Sequence, residues 1–185
     1  GITAGAANNI TLNHASNDFT GAVSIAAGKD VNLLDTNALE LGASSISGNL
    51  TVQTGGNVTQ NDAFLVVGGA TSLTAGSANN ITLNDADNDF TGAVTVVSGN
   101  NVSLRGSNSS SLGSSWVITL GASNISGNLT LWANSILQNG SLSVGGTSNL
   151  ISGNTITLNN AENTFNGTVT INSWQANLRD SGALD

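Results

Sequence analysis

Three aspartates at alternate positions, Asp85, Asp87 and Asp89 in the phrase LNDADNDF (residues 83–90), are the nearest approach in this sequence to a metal site. Alternate oxygens are how the first half of a calcium loop gathers a hard cation. Such a loop needs glycine where Phe90 stands and a bidentate glutamate where Val96 stands. The phrase is therefore a weak calcium candidate, and a solvated corner is the expected reading. Related phrases put His14, Ser16 and Asp18, or Asn160, Glu162 and Thr164, in the same places. No metal or cofactor is expected.

Hydrolytic chemistry finds less. Polysaccharide cleavage needs paired carboxylates, or a carboxylate beside a base, on one open face. The acids Asp30, Asp35, Asp62, Asp89 and Asp180 stand among corner residues instead. One histidine, His14, and no cysteine leave nucleophilic catalysis without its usual groups. No catalytic residue is assigned, and an enzyme is not expected. A binding candidate is stronger: Arg105 and Trp116 bracket RGSNSSSLGSSW, which holds eight positions more (35 − 27) than the equivalent stretch after Gly21. Trp116 could stack on a sugar while Arg105 donates to its hydroxyls. Drift in a loop free to vary is the plainer account. Trp132 and Trp174 could also stack on sugars, or cap corners.

Composition narrows the partners. Three basic residues, Lys29, Arg105 and Arg179, face eleven acids for a net charge of −8. Phosphate contacts need clustered Lys and Arg, so neither nucleic acid nor an anionic membrane surface is a partner. No apolar run reaches the roughly 18 residues of a membrane-spanning helix, so direct membrane insertion is not expected. The opening GITAGAANN is not a signal peptide. The pattern starts and stops in mid-phrase, which suggests a part of something longer. Cysteine is absent, excluding thiol chemistry, and so is proline, whose missing N–H would break a strand ladder.

The elements that would position these residues repeat. Asn80 to Leu104 has a near-copy 71 positions earlier (80 − 9) and a looser one starting at Thr155. A shorter phrase of glycine, small residue, apolar, Thr or Ser, apolar begins at Gly21, Gly48, Gly92, Gly127 and Gly167, and weaker versions begin at Gly69 and Gly146. A second phrase is Ile10-Thr-Leu12, repeated at Val31, Val58, Ile81, Val102 and Ile156. A third, less regular strand contains Phe19, Leu39 with Leu41, Leu65 with Val67, Phe90, Val117 to Leu120, Val144 or Phe165. Apolar residues alternate with Thr, Ser and Asn in strand period, and Gly, Asn and Asp at the corners tolerate left-handed backbone.

One unit of about twenty residues is too short for its own core, so neighbours must stack. The predicted fold is all-β: a right-handed parallel β-helix, or β-solenoid, with three short strands per rung. At the strand spacing, about seven rungs make a rod of roughly 35 Å. Residues 1–185 form a single solenoid segment. Outward hydroxyls are expected in two columns, Ser24–Thr51–Ser72–Thr95–Thr130–Thr170 and Thr11–Thr59–Thr82–Ser103–Thr157. Long copies should recur every third rung.

The phrases GNLTVQTGGNVTQ (48–60), NNITLNDADNDFTGAVTV (79–96) and SISGNLTV (45–52) are similar to repeats of filamentous-haemagglutinin-like exoproteins, including leukotoxin-like adhesins of Gram-negative bacteria. The resemblance spans nearly the whole chain. It implies the β-helical stalk of a large secreted or surface-held adhesin, hence an extracellular or cell-surface setting. It marks no catalytic or binding residue, and the N-terminal secretion domain of that family has no counterpart here. The expected partners are further repeats end to end, in a homopolymer or filament, and host or matrix glycans. The alternative is a carbohydrate-active or carbohydrate-binding β-helix.

Overall fold

A computed structural model describes residues 1–106 and 117–182. Every strand pairing is parallel, and the chain coils as an all-β solenoid of about eight turns that matches a right-handed parallel β-helix. No helix occurs among the described residues. The longest sheet stacks β2 (Ile10–Leu12), β4 (Val31–Asp35), β7 (Leu50–Thr54), β10 (Thr71–Thr74), β13 (Val94–Ser98), β15 (Val117–Leu120), β18 (Ser135–Gln138), β21 (Thr155–Leu158) and β24 (Gln175–Leu178). A second stacks β5 (Leu39–Leu41), β8 (Val58–Gln60), β11 (Ile81–Leu83), β14 (Val102–Arg105), β17 (Leu129–Ala133), β20 (Ser148–Ser152) and β23 (Val169–Asn172). Short strands complete the turns: β6 (Ser44–Ile46), β9 (Leu65–Val67) and β12 (Asp89–Phe90) below, β16 (Ser123–Ile125), β19 (Leu142–Val144) and β22 (Thr164–Phe165) above. At the N-terminal end β1 (Ile2–Thr3) pairs with β3 (Ile25–Ala27).

Period-two alternation supplies the core. In β7 the burial runs Leu50 in, Thr51 out, Val52 in, Gln53 out, Thr54 in. Inward residues stack into columns such as Leu33–Val52–Leu73–Val96 and Leu39–Val58–Ile81–Val102–Leu129, all buried. A fully buried Leu or Ile contributes roughly 1.5–3 kcal/mol, and only stacking turns can bury them in a rod this narrow. Among the described residues two of the buried hydroxyls in these columns lack a partner. Thr71 lies between Leu50 and Val94, Ser148 between Leu129 and Val169, and both side-chain oxygens are buried without a hydrogen-bond partner.

The repeat does not stand in line above itself. The phrase Ile10–Leu12 lies in the sheet of β4, Ile81–Leu83 lies between β8 and β14, and Thr155–Leu158 lies between β18 and β24. From β11 to β21 the described residues make ten strands (21 − 11). From β2 to β11 they make nine, plus the bridge of Val23 to Leu41. Ten strands at three per turn are three and a third turns, so each copy starts one face further round. The copies recur at this interval rather than at every third rung.

The same count corrects the hydroxyl columns. Thr11 stacks with Asn32, Thr51, Ser72 and Thr95, while Ser103 stacks with Thr130, Asn149 and Thr170. Glycine phrases and Ile-Thr-Leu phrases therefore share columns instead of keeping separate ones. Likewise Leu39 to Leu41 and Val117 to Leu120, grouped by sequence with the short third strands, belong to the two long sheets. The face change is visible at β13. Its head, Val94, supports Leu120 of β15, while its tail supports β16 through Gly99–Ile125 and the bond from Val96 N–H to Ser123 Oγ at 3.1 Å.

The corners are tight rather than left-handed. Positive φ occurs only at Gly5, Gly76 and Asp62 among the described residues. The recurrent glycines answer a different need: Gly48, Gly69 and Gly92 lie directly above one another, as do Gly127, Gly146 and Gly167. A Cβ on Gly69 would stand 2.6 Å from the Gly48 carbonyl carbon, and one on Gly167 2.6 Å from the Gly146 oxygen. Backbone meets backbone there, and only glycine fits.

Candidate functional site

The corner holding Asp85, Asp87 and Asp89 is organised by an amide that faces the other way. Asn88 is fully buried. Its Oδ1 accepts the Leu65 N–H at 2.9 Å and a bond from Gln60 Nε2, and its Nδ2 donates to Gln60 Oε1 at 2.9 Å. Gln60 stands where the column otherwise has leucine, beside Leu41. Two primary amides paired head to tail satisfy each other's donors and acceptors inside an apolar core, where an unpaired amide would cost several kcal/mol.

The same clamp recurs above. Asn163, also fully buried, takes the Leu142 N–H at 3.0 Å on Oδ1 and pairs with Gln138, the neighbour of Leu120. In both clamps the glutamine Oε1 also accepts a loop N–H at 3.3 Å, from Asp85 in one and Asn160 in the other. Asn17, the first copy's equivalent, donates to the Leu12 carbonyl at 3.0 Å.

The aspartates then have structural work. Asp85 Oδ1 accepts the Asp87 N–H at 2.9 Å, as His14 Nδ1 accepts that of Ser16 and Asn160 Oδ1 that of Glu162. Asp87 is exposed, and Asp89 belongs to β12 beside Val66. Among the described residues no three His, Cys, Asp or Glu side chains gather as a metal group would. Asp35, expected in a solvated corner, is buried: its two carboxylate oxygens accept the N–H groups of Phe19 and Asn37, each at 3.3 Å.

Corner asparagines form two outer ladders. Asn9, Asp30 and Asn49 each present Oδ1 to the backbone N–H of the next turn, at Asp30, Asn49 and Ala70. Asn57, Asn80, Asn101 and Asn128 do the same for Asn80, Asn101, Asn128 and Thr147, at 2.8–3.1 Å. A side-chain oxygen thus continues the backbone ladder around the bend, where strand pairing stops. Sequence reading identified these residues as corner formers but missed the ladder, whose signal is an Asn or Asp directly before each apolar strand residue.

Of the glycan pair, Trp116 lies outside the described residues. Arg105 ends β14 opposite Trp132 of the next turn, with its guanidinium carbon 4.2 Å from the indole centroid. A cation over an indole face is attracted by the ring quadrupole. Trp132 is 46% exposed and points outward from mid-strand rather than capping a corner, and Trp174 is 93% exposed. Among the described residues no helix is long and apolar enough to cross a membrane.

Searches of curated proteins and of solved structures return no match. A family model described as repeats of unknown function, DUF5649, matches residues 1–26, 28–97 and 99–172. The second and third matches begin 71 positions apart (99 − 28), the interval of the long repeat. With most of its length so matched, the chain belongs to the DUF5649 family of repeats of unknown function.

Proposed function

We propose that this chain is a non-enzymatic spacer: a stiff segment of the stalk or fibre of a secreted or surface-attached bacterial adhesin. The observation that carries the reading is the continuous stacking of the described turns. Apolar columns and parallel ladders run the length of the rod, and the same strand text serves on all three faces. The polar side chains with the most elaborate bonding, Asn88, Asn163 and the two ladders, have their partners within the fold. The resemblance of its phrases to filamentous-haemagglutinin-like repeats supports the extracellular setting.

Length is the testable property. A solenoid advances by about 4.8 Å per turn, so two copies of the chain fused in register should double the long dimension at constant cross-section. Small-angle scattering measures both. A fused protein that instead widens, or folds back on itself, would overturn the spacer reading.

A further inference from the structure

We propose a second role on one face: a shallow site for a neutral polysaccharide on the outer surface of the seven-stranded sheet. A hollow of about 270 Å³ lies there, lined, besides Val102, by Asn80, Asn101 and Asn128 along one side and by Thr82, Ser103 and Thr130 along the other. These six residues come from three successive turns, β11, β14 and β17. Two residues further along the same strands, on the same side by strand alternation, stand Arg105 and the half-exposed Trp132.

The chemistry of the lining selects the ligand. It contains no charged side chain, and the chain carries −8 overall, so a polyanion has no reason to settle there. The Oδ1 atoms of Asn80, Asn101 and Asn128 are occupied by the backbone of the next turn. Asn101 Nδ2 spends one N–H on Asn80 Oδ1 at 3.1 Å, which leaves its second N–H and the amides of Asn80 and Asn128 as donors, while each hydroxyl offers a donor and an acceptor. At the margin Trp132 adds an apolar ring edge, its indole face stacked by Arg105 with the guanidinium carbon 4.2 Å from the ring centroid. Donors in rows beside an aromatic suit a ligand covered in hydroxyl and ether oxygens. The turns repeat at about 4.8 Å, close to the length of one extended β-linked sugar, so a chain laid along the axis meets a similar set at each turn.

The site is independent of the spacer reading and differs from the Arg105–Trp116 pair in its aromatic partner. Calorimetric titration with cellohexaose and chitohexaose tests it, since both are neutral and β-1,4-linked. At least one should bind, and Trp132→Ala and Thr130→Val should each weaken it about tenfold. Thr51→Val, on another face, should leave affinity unchanged. Thermal midpoints of all three variants check that the fold is kept, and Thr130→Val reports on the site even if the loss of Trp132 loosens β17. Absence of binding to both sugars at millimolar concentration would overturn the proposal. So would equal weakening by Thr51→Val and Thr130→Val, or wild-type affinity in both Trp132→Ala and Thr130→Val.

Discussion

The two amide clamps occupy different edges of the same prism. Asn88 and Gln60 sit where β11 hands over to β12, and Asn163 with Gln138 sits further up the rod, where β21 hands over to β22. Their bonds agree almost atom for atom, yet β11 belongs to the seven-stranded sheet and β21 to the nine-stranded one. A local phrase therefore fixes its own corner, and the number of strands preceding it decides which face that corner joins. The long sheet records this, passing from one face to the next where Leu120 rests on the head of β13.

If corners are autonomous, equivalent substitutions below and above should have equal effects. The largest is expected from Ile81→Asn and Ile156→Asn, which bury an amide with no partner in a closed column. Each should cost about 2–4 kcal/mol, read from denaturant midpoints. A wide gap between the two would mean that the faces differ in ways the repeat does not show.

Removing a clamp comes next. Asn88→Ala strands Gln60 and the Leu65 N–H, and Asn163→Ala strands Gln138 and the Leu142 N–H. A loss of about 2–3 kcal/mol is expected for each. Asn17→Ala should cost under half as much, because the Asn17 amide caps only the Leu12 carbonyl. Equal losses at all three positions would show that the loop, and not the clamp, holds the corner.

The orphan hydroxyls should move stability the other way. Thr71→Val and Ser148→Ala remove buried oxygens that have no partner, and a gain of about 1 kcal/mol each is expected by thermal or chemical unfolding. No gain would mean that each oxygen has a partner in solution. Smallest of all, Thr82→Asn and Thr157→Asn lie on outward positions of the same strands and should stay within about 0.5 kcal/mol.

The solenoid itself was legible because its signal is periodic. Val58, Ile81 and Val102 stack as the alternation predicts, and three strands per turn follow from the spacing of the phrases. The turn count came out near eight rather than seven because the ends carry partial turns that lack a full phrase, such as β1 and β24. The columns were misassigned for another reason: like phrases were matched with like, whereas pairing is decided by coil length, which varies from turn to turn. The clamps were hidden because Gln60 and Gln138 look like the polar ends of weak strands, and their partners lie 28 and 25 residues away. The stacking of Arg105 on Trp132 was hidden too, since 27 residues separate the pair and only the register brings them together.

The third of a turn left over by each copy has a consequence for growth of such a rod. Ten strands per copy form a three-phase screw, so a chain extended by identical copies returns to its starting face only after three of them. Gaining or losing one copy would keep the strand pairing, because the Ile-Thr-Leu text joins a long parallel sheet at residues 10–12, 81–83 and 156–158 alike. It would also swing every feature beyond the change by a third of the circumference. Repeat number in this family would then be a dial for direction as much as for reach, and changes in multiples of three would be silent in aim.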